Sequence, residues 1–335
     1  MINDNIEFYE CTEASVEDFC YSLDIIDWEI RRGINDRTLL NEKINRTVIN
    51  SCRDLFSKII EQLSSNQKEY IEGFNGVTLR KGKIKYKMEI PEDETVNVKV
   101  PRNPIYVNYI VYNFKDKKCK EVFDREHYGH TYSCYCSCNG GSLNMISLSF
   151  FMISGHIDIA KWADSLQHEL SHEFEQTNIG SNYPVSNLYG IVSYYINSED
   201  EGARSVSTIL YCYNDSERKG YAHGLYAYID KKLMIRPEYY NLRHCDYFKM
   251  LKKLNMAVAF VKNNPNDKGI VEVLNKIKEI DAGSISYRNL VQKGEIAIKK
   301  WNKEASLVLK QYRDDAQKKY KFSITCCGQK LYEMI

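Results

Sequence analysis

The chain has 335 residues, 46 Lys+Arg against 45 Asp+Glu, and 43% hydrophobic residues. That supplies one large core or two modest ones, and a formal charge of +1 argues against nucleic acid or an anionic membrane surface as the main partner. Met1 to Glu7 shows neither a basic n-region nor an apolar stretch, no run approaches the ~18 apolar residues of a membrane span, and the 11 cysteines are an odd number, so a reduced, cytoplasmic protein is expected.

Residues 14–66 are predicted to be helical, from apolar residues at Phe19, Leu23, Ile26 and Ile30, then Leu40, Ile44, Val48, Leu55 and Ile59. After Gly73 and Gly76 the period changes to two. Ile84, Tyr86, Met88 and Ile90 alternate with Lys83, Lys85, Lys87 and Glu89, a solvated strand face, and Val96, Val98 and Val100 alternate again. Pro101 and Pro104 precede a β-branched and aromatic strand, Ile105 to Phe114. Tyr132 to Cys138 and Leu143 to Phe151 read as two more strands, joined through Asn139-Gly140-Gly141-Ser142. From Ile157 the period is helical: Ile159, Ala163, Leu166, Leu170 and Phe174 form one stripe, closed by Asn178 to Gly180 and Pro184. Further helices are predicted at about 187–196, 199–213, 244–263, 268–280 and 286–319. Strands before a central helix, with helical flanks, make the expected class α+β. It divides into an N-terminal helical region 1–75, a core 76–235 and a C-terminal helical region 236–335.

The central helix carries Gln167-His168-Glu169-Leu170-Ser171-His172-Glu173-Phe174. Residues i and i+4 of a helix lie one turn apart on one face, so His168 and His172 can reach a single metal ion. Glu169 stands at the edge of that face, placed to act as a general base on water without entering the coordination sphere. Lys161, Asp164, His168, His172 and Glu175 lie opposite the apolar stripe, so one side of the helix suits a core and the other a cleft.

From Leu143 to Tyr211 this pattern resembles the zincin metallopeptidases. The resemblance implies a mixed β-sheet followed by the His-Glu-x-x-His helix, one catalytic zinc ion and a peptide or protein substrate. In zincins the edge strand of the sheet pairs with the substrate backbone. Leu143 to Phe151 occupies the corresponding place, either in that role or as an ordinary buried strand. The metzincin continuation is missing, because Glu175 and Asn178 stand where a glycine and a histidine would follow. The sequence is similar instead to gluzincins, which draw a third ligand from a following helix. Ser198-Glu199-Asp200-Glu201-Gly202-Ala203-Arg204 offers three acids. Ala203, Val206 and Leu210 mark the inward face of that helix. Glu199 and Asp200 lie one turn before it and have small residues, Gly202 and Ala203, three positions on. Glu201 points away and has Arg204 there. The small residue at that spacing and a glutamate ligand are both gluzincin features, so the resemblance makes Glu199 the expected third ligand, with Asp200 a close alternative and Glu201 behind both.

His223 is a candidate for stabilising an oxyanion, against a plain structural role. Cys134, Cys136 and Cys138 share one strand face, near Cys119, His127 and His130. Buried reduced thiols explain them better than a second metal, which more often uses Cys-x2-Cys. The function this reading supports is zinc-dependent peptide hydrolysis with Glu169 as general base. The alternative is a zincin-like scaffold whose metal is structural and whose work is binding or assembly.

Overall fold

The computed structural model describes residues 46–65, 71–73, 76–89, 104–126, 134–136, 145–179, 187–232, 242–280 and 286–327. The chain is mixed α+β and mostly helical. Of the predicted elements, the first half of the 14–66 helical stretch, the Val96–Val100 strand and the Asn139–Ser142 connection lie outside the described residues, as do Cys138, His127 and His130.

Helix α1 (Arg46–Ser65) leads to strands β1 (Ile71–Gly73), β2 (Val77–Tyr86) and β3 (Ile105–Phe114). A short helix α2 (Lys117–Glu126) and strand β4 (Cys134–Cys136) precede β5 (Met145–Ile153) and β6 (His156–Ile157). The sheet order is β1-β2-β3-β5-β4, with β6 also paired to β5. It is mixed: β3 and β5 run parallel, and the other pairings are antiparallel. Along β3 the period of two sends Ile105, Val107, Tyr109 and Val111 inward and leaves Tyr106, Asn108, Ile110 and Tyr112 half exposed.

The strand predicted over Leu143 to Phe151 is not the edge of this sheet. β5 pairs with β3 on one flank and with β4 and β6 on the other, so the outer position among the described strands falls to β4. A two-residue turn with positive φ at Ser154 (52°) and Gly155 (76°) reverses β5 into β6. Ser154 N–H donates to the Phe114 carbonyl (2.8 Å), which ties the turn to the end of β3. Asp158 then accepts from the Lys161 N–H (3.2 Å), an N-cap bond that starts helix α3 (Ile159–Ile179).

The second half is helical: α4 (Asn187–Tyr195), α5 (Glu201–Tyr213), α6 (Asp215–Lys232), α7 (Asp246–Asn263), α8 (Lys268–Ile280) and the 41-residue α9 (Tyr287–Cys327). The sequence reading contains no counterpart of α2 or α6. In α6 the buried residues run nearly all the way round, from Glu217 to Ile229, and include Gly220 and Gly224. With no amphipathic stripe and two poor helix formers, its period is invisible.

Two apolar cores result. One joins α1 and the inner sheet face to Trp162, Ala163, Leu166 and Leu170 of α3. Leu166 and Leu170 have no exposed surface, a burial worth roughly 1.5–3 kcal/mol each. The other core gathers α4 to α9 around Trp301. α3 lies on the seam, with one face in the sheet-side core and the opposite face against α6, its most extensive helix partner. Among the described residues no helix is long and apolar enough to cross a membrane.

Candidate metal centre

On the α6-facing side of α3, Asp164, His168 and His172 follow at i, i+4 and i+8. The helices approach closely because α6 has no side chain at two points. A Cβ on Gly220 would lie 2.9 Å from His168 Nε2, and one on Gly224 would lie 2.0 Å from Asp164 Oδ1. Glu217, one turn before Gly220 and Tyr221, thereby reaches the two histidines. His168 Nε2 and His172 Nε2 are 3.0 Å apart, and Glu217 Oε2 lies 3.6 Å from the first and 3.8 Å from the second. Among the described residues this is the one group of three such side chains whose donor atoms converge.

A tetrahedral zinc ion with N and O ligands at about 2.0–2.2 Å holds neighbouring donors about 3.3–3.6 Å apart. The observed triangle of 3.0, 3.6 and 3.8 Å brackets that edge, and two imidazoles with a carboxylate are a borderline-soft donor set suited to zinc. The residues therefore fit the metal that the motif implied.

Surrounding groups orient each ligand. His172 Nδ1 lies 3.0 Å from Ser216 Oγ, leaving Nε2 directed at the cluster. Tyr211 donates to Glu217 Oε2 at 2.5 Å. The Tyr221 ring stands edge-on to His168, 4.6 Å between centroids. Gln167 Nε2 donates to the His223 carbonyl (2.9 Å), a further tie between α3 and α6. The side chains are largely enclosed, 12% exposed at His168, 9% at His172 and 6% at Glu217.

The electrostatics follow from this enclosure. Burial alone would raise the Glu217 carboxyl, but the hydrogen bond with His168, the two imidazoles and Tyr211 outweigh it and hold the pKa at about 2. Burial likewise works against a proton on His168, and there the bond to Glu217 with the charges of Glu169, Glu217 and Asp164 prevails, raising its pKa. Burial, then the neighbouring His168, lowers His172 to about 4. Burial and Asp246 push Asp164 up to about 7.

The expected third ligand is thus placed differently. Glu199, Asp200 and Glu201 are exposed and outside the cluster. Asp200 is the N-cap of α5, accepting from the Ala203 N–H at 2.8 Å. The small residue three positions after Glu199 does mark a close helix approach, but with α8. A Cβ on Gly202 would lie 1.7 Å from Asp267 Oδ1, and one on Gly269 would lie 1.8 Å from Asp200 Oδ1. Each aspartate caps its own helix and sits over the other helix's glycine. Glu217 belongs to the helix that the periodicity missed. One local signal could have found it: Asn214, followed three residues later by Glu217, has the form of a capping box, and Asn214 Oδ1 accepts from the Ser216 N–H (3.0 Å).

His223 lies on α6 with its Nδ1 donating to the Lys219 carbonyl (2.9 Å). Burial lowers its pKa to about 4, with the Lys219 carbonyl opposing and the His168 and Lys219 charges reinforcing the shift. A neutral ring that donates from Nδ1 keeps Nε2 as an acceptor. Cys119 lies on α2 as a free, half-exposed thiol. Cys134 and Cys136 occupy β4.

No protein-family profile, curated protein or solved structure matches this chain.

Proposed function

We propose that the chain is a zinc-dependent metallopeptidase of zincin type, with His168, His172 and Glu217 as the ligands and Glu169 as the general base. The observation that carries this reading is the triangle of donor atoms at 3.0, 3.6 and 3.8 Å, on a helix whose motif supplies a buried glutamate beside the first ligand that is not among the three. The mixed sheet immediately before that helix accords with a zincin arrangement, in which the place of the substrate-pairing strand would fall to β4. Zinc, when bound, supplies a Lewis acid that polarises a peptide carbonyl and makes water acidic near neutral pH. The chain's own groups do the rest. Glu169 takes the proton from the attacking water and later delivers it to the leaving amine. Ser216 and Tyr211 keep His172 and Glu217 aimed at the site, so these ligands need no reordering during the reaction.

A second reading, a structural metal in a binding or assembly protein, draws on the enclosure of all three ligands. The two readings separate in one experiment. Purified protein should bind about one zinc ion per chain and cleave members of a peptide library, and Glu169→Gln should retain zinc while losing roughly 10²–10⁴-fold in rate. Zinc bound with no cleavage of any peptide favours the structural reading. Full zinc occupancy in both His168→Ala and His172→Ala removes the metal from this site altogether.

A further inference from the structure

The hydroxyl that meets Glu217 Oε2 more closely than either histidine comes from neither α3 nor α6. Tyr211, near the end of α5, donates its hydroxyl proton to Glu217 Oε2 at 2.5 Å, a charge-assisted bond to the same oxygen that faces both imidazoles. Tyr221 in turn sets its ring edge-on to His168, 4.6 Å away at 90°, and edge-on to Tyr211 at 6.3 Å and 84°. The contacts close a circuit through three helices: His168 on α3, Tyr221 and Glu217 on α6, Tyr211 on α5. Trp301 of α9 backs it, packing 5.3 Å from Tyr221 and donating to the carbonyl of Cys212, the residue next to Tyr211.

A glutamate has three side-chain torsions and loses rotamer entropy when ordered, so a lone Glu217 would wander among several rotamers. We infer that Tyr211 is a positioning residue that holds Glu217 Oε2 at the apex of the ligand triangle before any metal arrives, and thereby tunes the site to small tetrahedral ions. The inference rests on the metal reading above and adds a selectivity device to it. With Oε2 pinned, the donor spacing suits an ion that accepts four short bonds. An ion that prefers six longer bonds gains little from such a fixed triangle. Tyr221, which packs its ring against both Tyr211 and His168, contributes in the same direction but less.

The test uses the full chain and Tyr211→Phe, which deletes one oxygen and keeps the ring. Zinc and manganese affinities are measured by competition titration, coordination by the visible absorption of the cobalt(II)-loaded protein, and folding by the unfolding midpoint of the metal-free protein. Zinc affinity should fall about 10–100-fold, the usual consequence of losing a group that orients a ligand. Manganese affinity should fall less, so that the ratio between the two ions narrows, and the cobalt band should lose its tetrahedral intensity. The metal-free midpoint should stay near wild type, and Tyr221→Phe should show a smaller change of the same sign. Unchanged zinc affinity and cobalt absorption in Tyr211→Phe overturns the inference. So does an equal loss for zinc and manganese accompanied by a lower metal-free midpoint, which would make Tyr211 a packing residue only. A wild-type chain that binds no zinc fails earlier, at the metal reading itself.

Discussion

Glu217 and Arg218 are neighbours in the first turn of α6, yet they serve two polar clusters of opposite character. Arg218 pairs with the buried Glu304 of α9 and with the exposed Asp215 of its own helix, and Asp215 also takes Lys300 of α9 at 3.0 Å. Two cations meet two carboxylates, and that cluster balances its own charge. Glu217 faces α3, where burial holds His172 neutral, Glu169 and Asp164 add further acids, and a proton on His168 is favoured by these carboxylates. A buried group of charges must be paired or must bind an ion. The α9 side has made its pair from protein alone, whereas on the proposed reading the α3 side would be completed by a cation from solution. On that reading the first contributes to folding and the second to binding, although the two residues are adjacent in sequence.

This contrast is open to direct attack, and the largest effect is expected on the self-paired side. Glu304→Ala leaves the Arg218 guanidinium, itself 6% exposed, without its buried partner. It should cost about 3–5 kcal/mol in urea unfolding of the metal-free protein, and zinc binding should survive. Glu217→Gln should do the reverse, abolishing zinc binding with a much smaller change in metal-free stability. Equal destabilisation by the two variants would erase the distinction.

Helix packing gives an intermediate effect. Gly224→Ala forces a Cβ to 2.0 Å from Asp164 Oδ1 and 3.0 Å from its backbone carbonyl, so α3 and α6 must part, at a cost of about 1–3 kcal/mol. Gly220→Ala meets His168 Nε2 itself at 2.9 Å, and should weaken zinc binding beyond any loss of stability. If both alanine variants fold and bind zinc as wild type does, the close approach of the two helices is not what assembles the site.

The smallest effect concerns protons. Burial, then nearby charges, lowers His172 and His223 from 6.5 to about 4, so between those values the unfolded chain binds more protons than the folded one. Metal-free protein should accordingly lose stability as pH falls from about 6.5 to about 4. His168, whose pKa is raised, and Asp164, pushed up to about 7, oppose this, since the contribution of each is present at low pH and fades as pH rises through the folded value. Urea unfolding across that range, with chelator present, measures the sum, and a stability that rises on acidification would contradict the neutral state of these rings.

The comparison also explains which parts were readable in advance. The two α3 histidines are four residues apart on a helix with a clear apolar stripe, so His168 and His172 could be placed on one face, with Glu169 at its edge, from spacing alone. β3 and β5 were visible for the same kind of reason, a period of two in a half-buried sheet. Glu199 was favoured because the small residue three positions later, Gly202, does signal a helix approach without naming the partner, and the partner is Asp267 at the start of α8 rather than the histidines. α6 was missed because burial on every side erases periodicity, and its glycines argue locally against a helix.

Sequence alone thus determined the mixed class, the inward face of the strands and two of the three side chains that converge at the candidate site, because each depends on a local period of two or 3.6 residues. It could not determine which carboxylate joins them. Glu217 lies 45 residues from His172, and their meeting depends on two glycines that let α6 rest against α3 and on a tyrosine from a third helix. Those are contacts between elements distant in the chain, and only the packed tertiary structure decides them.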